Sequence, residues 1–267
     1  MRAIRRFVNY LGLAWAYVRL NLRAQLEYRG AFVSQVAAMF VNDCVWVVFW
    51  ALFFTRFPVL RGWDVRDVIA VWAVAAEGFG LAHAVYGNVI SLHAMIAKGE
   101  IDVWMLYPRA LLPHMLLGKM NATAWGDALF GFVVYAVFVR PDAPRFALFA
   151  LLAVASAAVF VGFGIATGSI GFYLGNSATL TEQWRFAMLT FSTYPATLFQ
   201  GGVKLLLFTA IPAFFVNLYP VEALRRLSMV DAAIALAGAA SVVIVGTAIF
   251  YHGLRRYESG NLLAMRE

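Results

Sequence analysis

Charged side chains are scarce in this chain of 267 residues, because Asp, Glu, Lys and Arg together make up only 13% of it. A soluble domain usually carries about 25%. Hydrophobic residues account for 63% of the chain, and the segment Phe146–Leu174 contains no charge in 29 residues. About 20 apolar residues are enough to span a bilayer. The composition therefore excludes an ordinary soluble domain and predicts an all-α membrane protein with several spans.

Cysteine is almost absent, since Cys44 is the only one and lies inside a hydrophobic run. An intrachain disulfide is therefore excluded, and the residue says nothing about the redox compartment. A cleavable signal peptide is not expected either. The first hydrophobic segment, Ala31–Phe54, follows a basic stretch of about 30 residues and is too long for the apolar region of such a peptide.

Motifs for catalysis and nucleotide binding are also missing. The only Gly–Lys pair is Gly118–Lys119, but Pro113 stands where a P-loop needs its first glycine, and Met120 replaces the Ser or Thr. The four histidines lack metal-ligand spacing, and the chain has no nucleophile elbow or Rossmann fingerprint. We therefore expect no catalytic residue, metal or cofactor on this chain. If it works against a gradient, another chain must supply the energy.

The net charge of +7 does not point to a nucleic-acid partner, because the basic residues are scattered among hydrophobic segments. In a membrane protein they accumulate beside cytosolic helix ends. With the N-terminus taken as cytosolic, alternate loops hold 13 basic residues on the inner side and 8 on the outer side. This bias predicts that both termini are cytosolic.

Six hydrophobic segments predict six spans in one membrane domain, residues 29–254, which is followed by a cytosolic tail, residues 255–267. The predicted spans are Ala31–Thr55, Val68–Leu92, Leu116–Val139, Phe146–Leu174, Phe186–Val203 and Val230–His252.

Residues 1–28 have the two-sided pattern of a helix that lies in the membrane interface. The polar side carries Arg2, Arg5, Asn9, Arg19 and Arg23, and the apolar side carries Ile4, Phe7, Leu11, Trp15, Val18 and Leu22.

Residues 204–220 are a second segment that we do not expect to span the membrane. The apolar stretch Leu205–Leu218 has 14 residues, is broken by Pro212 and is followed by Pro220. This stretch is too short to cross a bilayer comfortably. We therefore predict a short re-entrant helical element on the outer side.

Three acids, Asp43, Glu77 and Asp127, fall within predicted spans. An ionisable group at membrane depth is costly and usually faces protein or water. Two interpretations remain open at this point. The acids either belong to a polar substrate pathway, or they are hydrogen-bonded between helices, with Asn42, Asn88 and Asn121 as possible partners.

The fourth span is rich in glycine, with Gly164 and Gly168 four residues apart and Gly171 and Gly175 repeating that spacing, and with Gly162 just before them. Such spacing allows helices to approach closely. It is equally compatible with packing inside the chain and with a subunit interface.

The loop between the second and third predicted spans, residues 93–110, combines acidic residues, aromatic residues and a proline. Its segment Lys98–Arg109 is typical of a short amphipathic element that docks into a groove on a partner. An interfacial loop without a partner is the alternative.

Two segments carry a resemblance to a known family. The loop Lys98-Gly99-Glu100-Ile101-Asp102, followed by Leu106-Tyr107-Pro108, and the tail Gly253-Leu254-Arg255-Arg256-Tyr257-Glu258-Ser259 resemble signatures of a bacterial ABC permease family of the type-2 exporter-like class. The similarity extends to the amphipathic start, the six spans and the broken element before the last span.

The resemblance implies a subunit of an ABC exporter in the bacterial inner membrane. It implies cytosolic ABC ATPase subunits that bind ATP and Mg²⁺, and a second permease chain, homologous or identical. The loop would be a coupling helix seated on the ATPase, in which we expect Glu100, Ile101, Asp102 and Trp104 to transmit its movement.

The aromatic residues Trp46, Trp50, Trp72, Tyr86 and Trp125 would suit an amphipathic or cationic substrate, as in multidrug efflux. Two other functions stay open. One is a secondary transporter or channel that uses the three acids and no ATP, and the other is a membrane scaffold without transport.

Overall fold

The computed structural model describes the backbone of residues 2–257 and the side chains of residues 10–257, and within that range it is helical without a β-strand. Residues 258–267 of the tail and the side chains of Arg2, Ile4, Arg5, Phe7 and Asn9 lie outside this description. In chain order the helices are α1 (Arg2–Glu27), α2 (Arg29–Arg56), α3 (Val65–Val85), α4 (Leu92–Ala97), α5 (Ile101–Met105), α6 (Leu111–Leu117), α7 (Ala124–Val134), α8 (Ala143–Gly168), α9 (Gly171–Leu174), α10 (Ala178–Thr193), α11 (Gly202–Phe208), α12 (Phe214–Asn217), α13 (Tyr219–Arg226) and α14 (Met229–Leu254).

Among residues 2–257, four helical segments are long and apolar enough to cross a membrane: α2, α3, the α8–α9 segment and α14. The third predicted span begins late, because the backbone is irregular before Ala124, and it runs through a π-helical turn to Val139. α10 has 16 residues. At 1.5 Å per residue, 16 residues reach roughly 24 Å, which is less than the bilayer core. The count of six spans therefore stays a prediction.

The fifth predicted span, Phe186–Val203, is wrong in its position, because the helix is Ala178–Thr193. Proline disfavours helical geometry in the residue before it and lacks an N–H group, so Pro195 ends the helix early. At the other end the polar residues Glu182 and Arg185, which hydropathy excluded from the span, lie inside α10 and form an ion pair.

α3 is the central helix of the fold and is buried along most of its length. Small residues allow neighbours on both sides to approach its backbone. A Cβ atom on Gly78 would lie 2.5 Å from Ser156 of α8, and one on Gly80 would lie 2.3 Å from the backbone of Ala128 in α7. α2 packs against α7 and also contacts α3, and α14 packs against α8. α3 therefore lies in the middle of the spanning helices.

The glycines of the fourth span serve packing inside the chain. A Cβ atom on Gly162 would lie 2.7 Å from the backbone of Val243 in α14, and one on Gly164 would lie 2.7 Å from the Val89 side chain. Gly168 meets Leu92 and Gly171 meets Ile96 in the same way. These four glycines therefore serve contacts within the chain, and a subunit interface at this helix stays a prediction.

The stretch Leu205–Leu218 does not form one continuous helix. It consists of the last residues of α11, a turn at Pro212, and α12. The buried Asn217 side chain donates hydrogen bonds to the carbonyl oxygens of Phe191 (2.6 Å) and Tyr194 (3.1 Å). These bonds satisfy carbonyls that the end of α10 leaves without a helical partner. α12 is thereby fixed to the end of α10.

Ion pairs fix α13 to the start of α3. The Arg225 guanidinium lies 2.9 Å from Asp67 and 3.0 Å from Glu222, and the Trp63 indole donates to Glu222. The connection before α3, the start of α3 and α13 therefore lie at the same end of the molecule.

Candidate coupling segment and transport pathway

The predicted coupling loop folds as two short helices at the opposite end of α3. α3 ends at Val85, α4 follows at Leu92–Ala97, and α5 occupies Ile101–Met105. Gly99 has a φ of +73° between them, which favours glycine, and the Glu100 N–H bonds the Met95 carbonyl at 2.9 Å. The turn therefore holds α5 in a defined position relative to α4.

Ile101 and Trp104 anchor α5 to the rest of the protein. Ile101 is fully buried in the main hydrophobic core. The Trp104 ring covers Gly118, where a Cβ atom would lie 2.4 Å from it, and meets the His114 ring edge-on at 5.1 Å. These two predicted coupling residues therefore face the protein, so they could pass on movement but would not form the outermost surface.

The outer surface of the segment is apolar and exposed. Val103 is 58% exposed and Leu106 is 84% exposed, with Met105 and Tyr107 beside them, and Glu100 is exposed as well. A cluster of large exposed apolar side chains outside the spans is typical of a contact with a partner. Sequence reasoning had not selected Val103 and Leu106, although their three-residue spacing on a short helix could have indicated them.

α1 supports the segment from the side. The Tyr17 hydroxyl and His114 Nε2 are 2.6 Å apart, and the Asn21 amide donates to the Leu117 carbonyl at 3.1 Å. Burial first, and then the nearby Arg109, lowers the pKa of His114. α1 is therefore in direct contact with α6, and the Trp104 ring of the coupling segment packs on His114 of that helix.

Two of the three predicted acids meet in the seam between α2 and α7. The carboxyl groups of Asp43 and Asp127 are both buried and lie at hydrogen-bonding range of each other. The Asn42 amide donates a hydrogen bond to Asp43 at 3.4 Å, and Asn42 is one of the partners that the sequence suggested. Asn88 and Asn121 bond Met115 and Thr123 instead.

Glu77 on α3 lies apart from that contact, although it faces α7 as well. Its carboxylate accepts a backbone hydrogen bond at Phe132. A Cβ atom on the preceding Gly131 would lie 2.7 Å from the Glu77 backbone nitrogen, so the two helices touch there. All three acids therefore lie in helix seams.

Three of the five selected aromatic residues form a wall on α2 and α3. The Trp46 and Trp72 rings are stacked with centroids 5.2 Å apart, and Trp50 meets Tyr194, just after α10, at 6.1 Å. The other two lie elsewhere. Tyr86 bonds Tyr10 of α1 through its hydroxyl, and the Trp125 indole donates to the Met120 sulfur.

Two large apolar grooves open on the surface. One, of about 840 Å³, lies between α1, α3, α6, α8 and α14 and includes Trp15, Leu112 and Ala158 in its lining. The other, of about 700 Å³, lies between α8, α10, α11 and α14 and includes Trp184 and Phe208. The lining of neither groove includes Asp43, Glu77 or Asp127.

The comparisons with known proteins give a family and no individual relative. Residues 40–260 match the family described as ABC-2 family transporter protein. No curated protein and no solved structure matches the chain.

The helical fold, with four segments suited to crossing a bilayer, defines a multi-pass membrane protein. Because the family match covers well over half of the chain, this chain belongs to the ABC-2 family transporter proteins. That membership makes it a permease, the transmembrane subunit of an ABC transporter and not its ATPase. Permeases of this family generally work with ABC ATPase partners.

Proposed function

We propose that this chain is the membrane-spanning subunit of an ATP-driven ABC exporter in the bacterial cytoplasmic membrane, with both termini cytosolic. It forms the substrate pathway together with a second permease chain, identical or homologous. Cytosolic ABC ATPase subunits bind ATP and Mg²⁺ and drive the cycle.

The exposed apolar surface of α5 supports this proposal most directly. A short helix that is buried on its inner side through Ile101 and exposed on its outer side through Val103 and Leu106 fits a groove on a partner. In the proposed mechanism ATP binding draws the ATPases together, and α5 passes their movement to the spanning helices as rigid bodies. Glu100 and Asp102 add charge at this contact, and Trp104 carries the movement inward.

We also propose where the elements that do not span the membrane, α1 and the pair α11–α12, lie relative to it. α1 lies in the inner interface with its apolar side toward lipid, since Trp15 is 63% exposed and Leu11, one turn before it, is exposed as well. The pair α11–α12 forms the re-entrant element on the outer side, at the end of the molecule that holds the start of α3.

The substrate pathway is proposed on the side of α2. Only 17% of its most apolar window is buried within the chain, the smallest share among the four spanning segments. The Trp46–Trp72 stack lies in this region. We therefore assign the contact with the second permease chain to this side, and an amphipathic or cationic aromatic substrate to the aromatic wall.

Copurification with matched glutamate variants tests the ATPase contact. Val103→Glu places a charge in the proposed interface, whereas Val59→Glu changes a valine of similar exposure (62%) at the other end of α3. The tagged chain is isolated from its native membrane, copurifying chains are identified by mass spectrometry, and ATP hydrolysis is measured in lipid nanodiscs. A chain with a P-loop should accompany the wild type and Val59→Glu.

The amount of P-loop chain that copurifies with the Val103→Glu variant should be at most about one tenth of the wild-type amount, because an unpaired charge in an apolar contact is costly. The ATP-driven function is wrong if no P-loop chain accompanies the wild type. The assignment of the contact to α5 is wrong if both variants retain the ATPase equally.

A further inference from the structure

A charged cavity of about 540 Å³ opens at the end of the molecule that holds the start of α3. The starts of α3 and α8, the turn after α7 and one side of α13 form its lining. Three aspartates and four arginines supply its charge, the arginines being Arg66, Arg140, Arg145 and Arg225. The cavity is separate from the coupling segment, from the aromatic wall and from the two apolar grooves.

The three aspartates are already engaged within the protein. Asp64 caps the start of α3, where its carboxylate accepts two backbone N–H groups at 2.8 and 3.0 Å. Asp67 forms an ion pair with Arg225 at 2.9 Å. Asp142 accepts the backbone N–H of Arg145 at 3.0 Å and pairs with the guanidinium of the same residue at 2.7 Å. Two of the arginines are therefore balanced by acids of the lining.

Arg66 and Arg140 carry the positive charge that remains. Both are exposed, and neither forms an ion pair with another residue between 10 and 257. The Arg140 Nε donates to the Val137 carbonyl at 3.3 Å, and the two terminal nitrogens of that guanidinium have no partner in the described part of the chain. Two cationic groups in one cavity are therefore available to a ligand.

A tyrosine in the same lining has a hydroxyl without a partner. Tyr135 belongs to the π-helical turn after α7, and its side chain is fully buried. Its ring stacks on the Phe149 ring of α8 at a centroid distance of 4.0 Å, so packing fixes its position. No described residue bonds its hydroxyl. Because a buried hydroxyl normally has a hydrogen-bond partner, this one indicates a ligand that accepts its hydrogen bond.

The two helices that begin in the lining add to its positive potential. α3 has 21 residues and α8 has 26. The aligned peptide dipoles of a helix place partial positive charge at its first turn. Together with the two guanidinium groups and the hydroxyl donor, these helix starts favour an anion. A guanidinium matches phosphate oxygens through two parallel hydrogen bonds, so a phosphate group fits the available donors.

We propose that this cavity binds a phosphate group through the guanidinium groups of Arg66 and Arg140 and the Tyr135 hydroxyl. The phosphate belongs to a lipid headgroup or to a soluble anion. Val137 and Phe138, which directly precede Arg140, are 52% and 50% exposed, so apolar surface continues from the residues next to it. The site does not depend on the proposed function, whereas its position on the outer side of the membrane does.

A contrasting account makes Arg66 and Arg140 ordinary surface charges that attract any anionic membrane. Arg56 separates the two accounts. It ends α2 just before the connection to α3, is exposed, and forms no ion pair with a described residue, but it lies outside the cavity lining. If only surface charge matters, Arg56→Gln and Arg66→Gln should weaken phosphate binding equally.

Thermal unfolding of the full chain in dodecyl maltoside micelles measures binding, because a ligand that binds only the folded state raises the midpoint. Sodium phosphate is compared with sodium chloride at equal ionic strength. Dioleoylphosphatidylglycerol is compared with dioleoylglycerol, which has the same chains and no phosphate. A rise with sodium phosphate shows that a soluble anion suffices, and a rise with the phospholipid alone assigns the site to a lipid headgroup. No rise with either compound above its control would overturn the inference.

The variants locate the site, since the dissociation constant follows from the midpoint at increasing ligand concentration. Arg66→Gln combined with Arg140→Gln should raise that constant at least about tenfold, because both charged donors are lost. Arg56→Gln should leave it unchanged. None of these exposed, unpaired arginines should alter the midpoint without ligand. An unchanged constant in the double variant, or equal losses from Arg56→Gln and Arg66→Gln, would reject the site.

Tyr135→Phe tests the hydroxyl by itself. The dissociation constant should rise about threefold or more, because one hydrogen bond to the phosphate is lost. The midpoint without ligand should stay unchanged or rise, because the ring still packs on Phe149 and a buried hydroxyl without a partner is removed. A lower midpoint with an unchanged dissociation constant would assign Tyr135 a purely structural role and remove it from the site.

Discussion

At the scale of single residues, the crossing of α8 and α14 depends on two glycines, Gly162 and Gly246, which have no side chain. A Cβ atom on Gly246 would lie 2.2 Å from the Gly162 carbonyl oxygen, which is backbone and has little room to move. An alanine there forces the two helices apart. The same substitution at Gly30 meets nothing within 4 Å.

We therefore predict that Gly246→Ala lowers the stability of the permease by about 1–3 kcal/mol, as overpacking does in other cores. Gly30→Ala should leave the midpoint of thermal unfolding unchanged or raise it slightly, because alanine favours a helix by up to about 1 kcal/mol. Thermal unfolding in lipid nanodiscs compares the two. An unchanged midpoint for Gly246→Ala would show that the helices do not approach this closely in the membrane.

At the scale of helices, the seam between α2 and α7 favours one of the two interpretations of the intramembrane acids. A Cβ atom on Gly126 would lie 2.5 Å from the Val36 carbonyl oxygen, so the helices touch near the Asp43–Asp127 contact. In such a dry contact the carboxyl groups bond each other between helices. We therefore propose a structural role for the pair.

Amide substitutions test this role. Asp127→Asn preserves a hydrogen-bonding group beside Asp43 and should leave the unfolding midpoint unchanged, whereas Asp127→Leu should destabilise the protein by about 1–3 kcal/mol because Asp43 loses its buried partner. The triple variant Asp43→Asn, Glu77→Gln and Asp127→Asn should still transport a fluorescent aromatic cation into inside-out vesicles. Loss of that transport in a stably folded triple variant would place the acids in the pathway.

At the scale of the whole molecule, cysteine labelling can measure how the spanning helices are oriented in the membrane. In a Cys44→Ser background, single cysteines replace Val59, Leu106, Asp142 and Asn176, which are exposed positions in connections along the chain. Six spans with cytosolic termini predict that cysteines 106 and 176 face the cytosol and cysteines 59 and 142 face outward.

A membrane-impermeant maleimide applied to intact spheroplasts should label positions 59 and 142 and should reach 106 and 176 only after lysis. The reversed pattern would invert the orientation and remove α5 from the cytosolic ATPase. Equal accessibility of positions 106 and 142 would show that the short segment Ala124–Val139 does not cross.

Sequence reasoning worked best where the property in question is a sum over neighbouring residues. The first predicted span, Ala31–Thr55, corresponds to α2, and the last, Val230–His252, corresponds to α14. It worked least well for α10, where Pro195 ended the helix and the Glu182–Arg185 pair brought charge inside it. A hydropathy sum does not recognise that two opposite charges one turn apart offset each other.

By itself, the sequence determined that this chain is a multi-pass helical membrane protein, because apolar length and scarcity of charge are local properties that the bilayer selects directly. Tertiary structure alone decided which residues meet. Asp43 joins Asp127, the glycines of α8 serve contacts within the chain, and Tyr257 of the tail meets the Phe172 ring of α9. These contacts join residues far apart in the chain, and they depend on how the helices cross, a geometry that no local pattern contains.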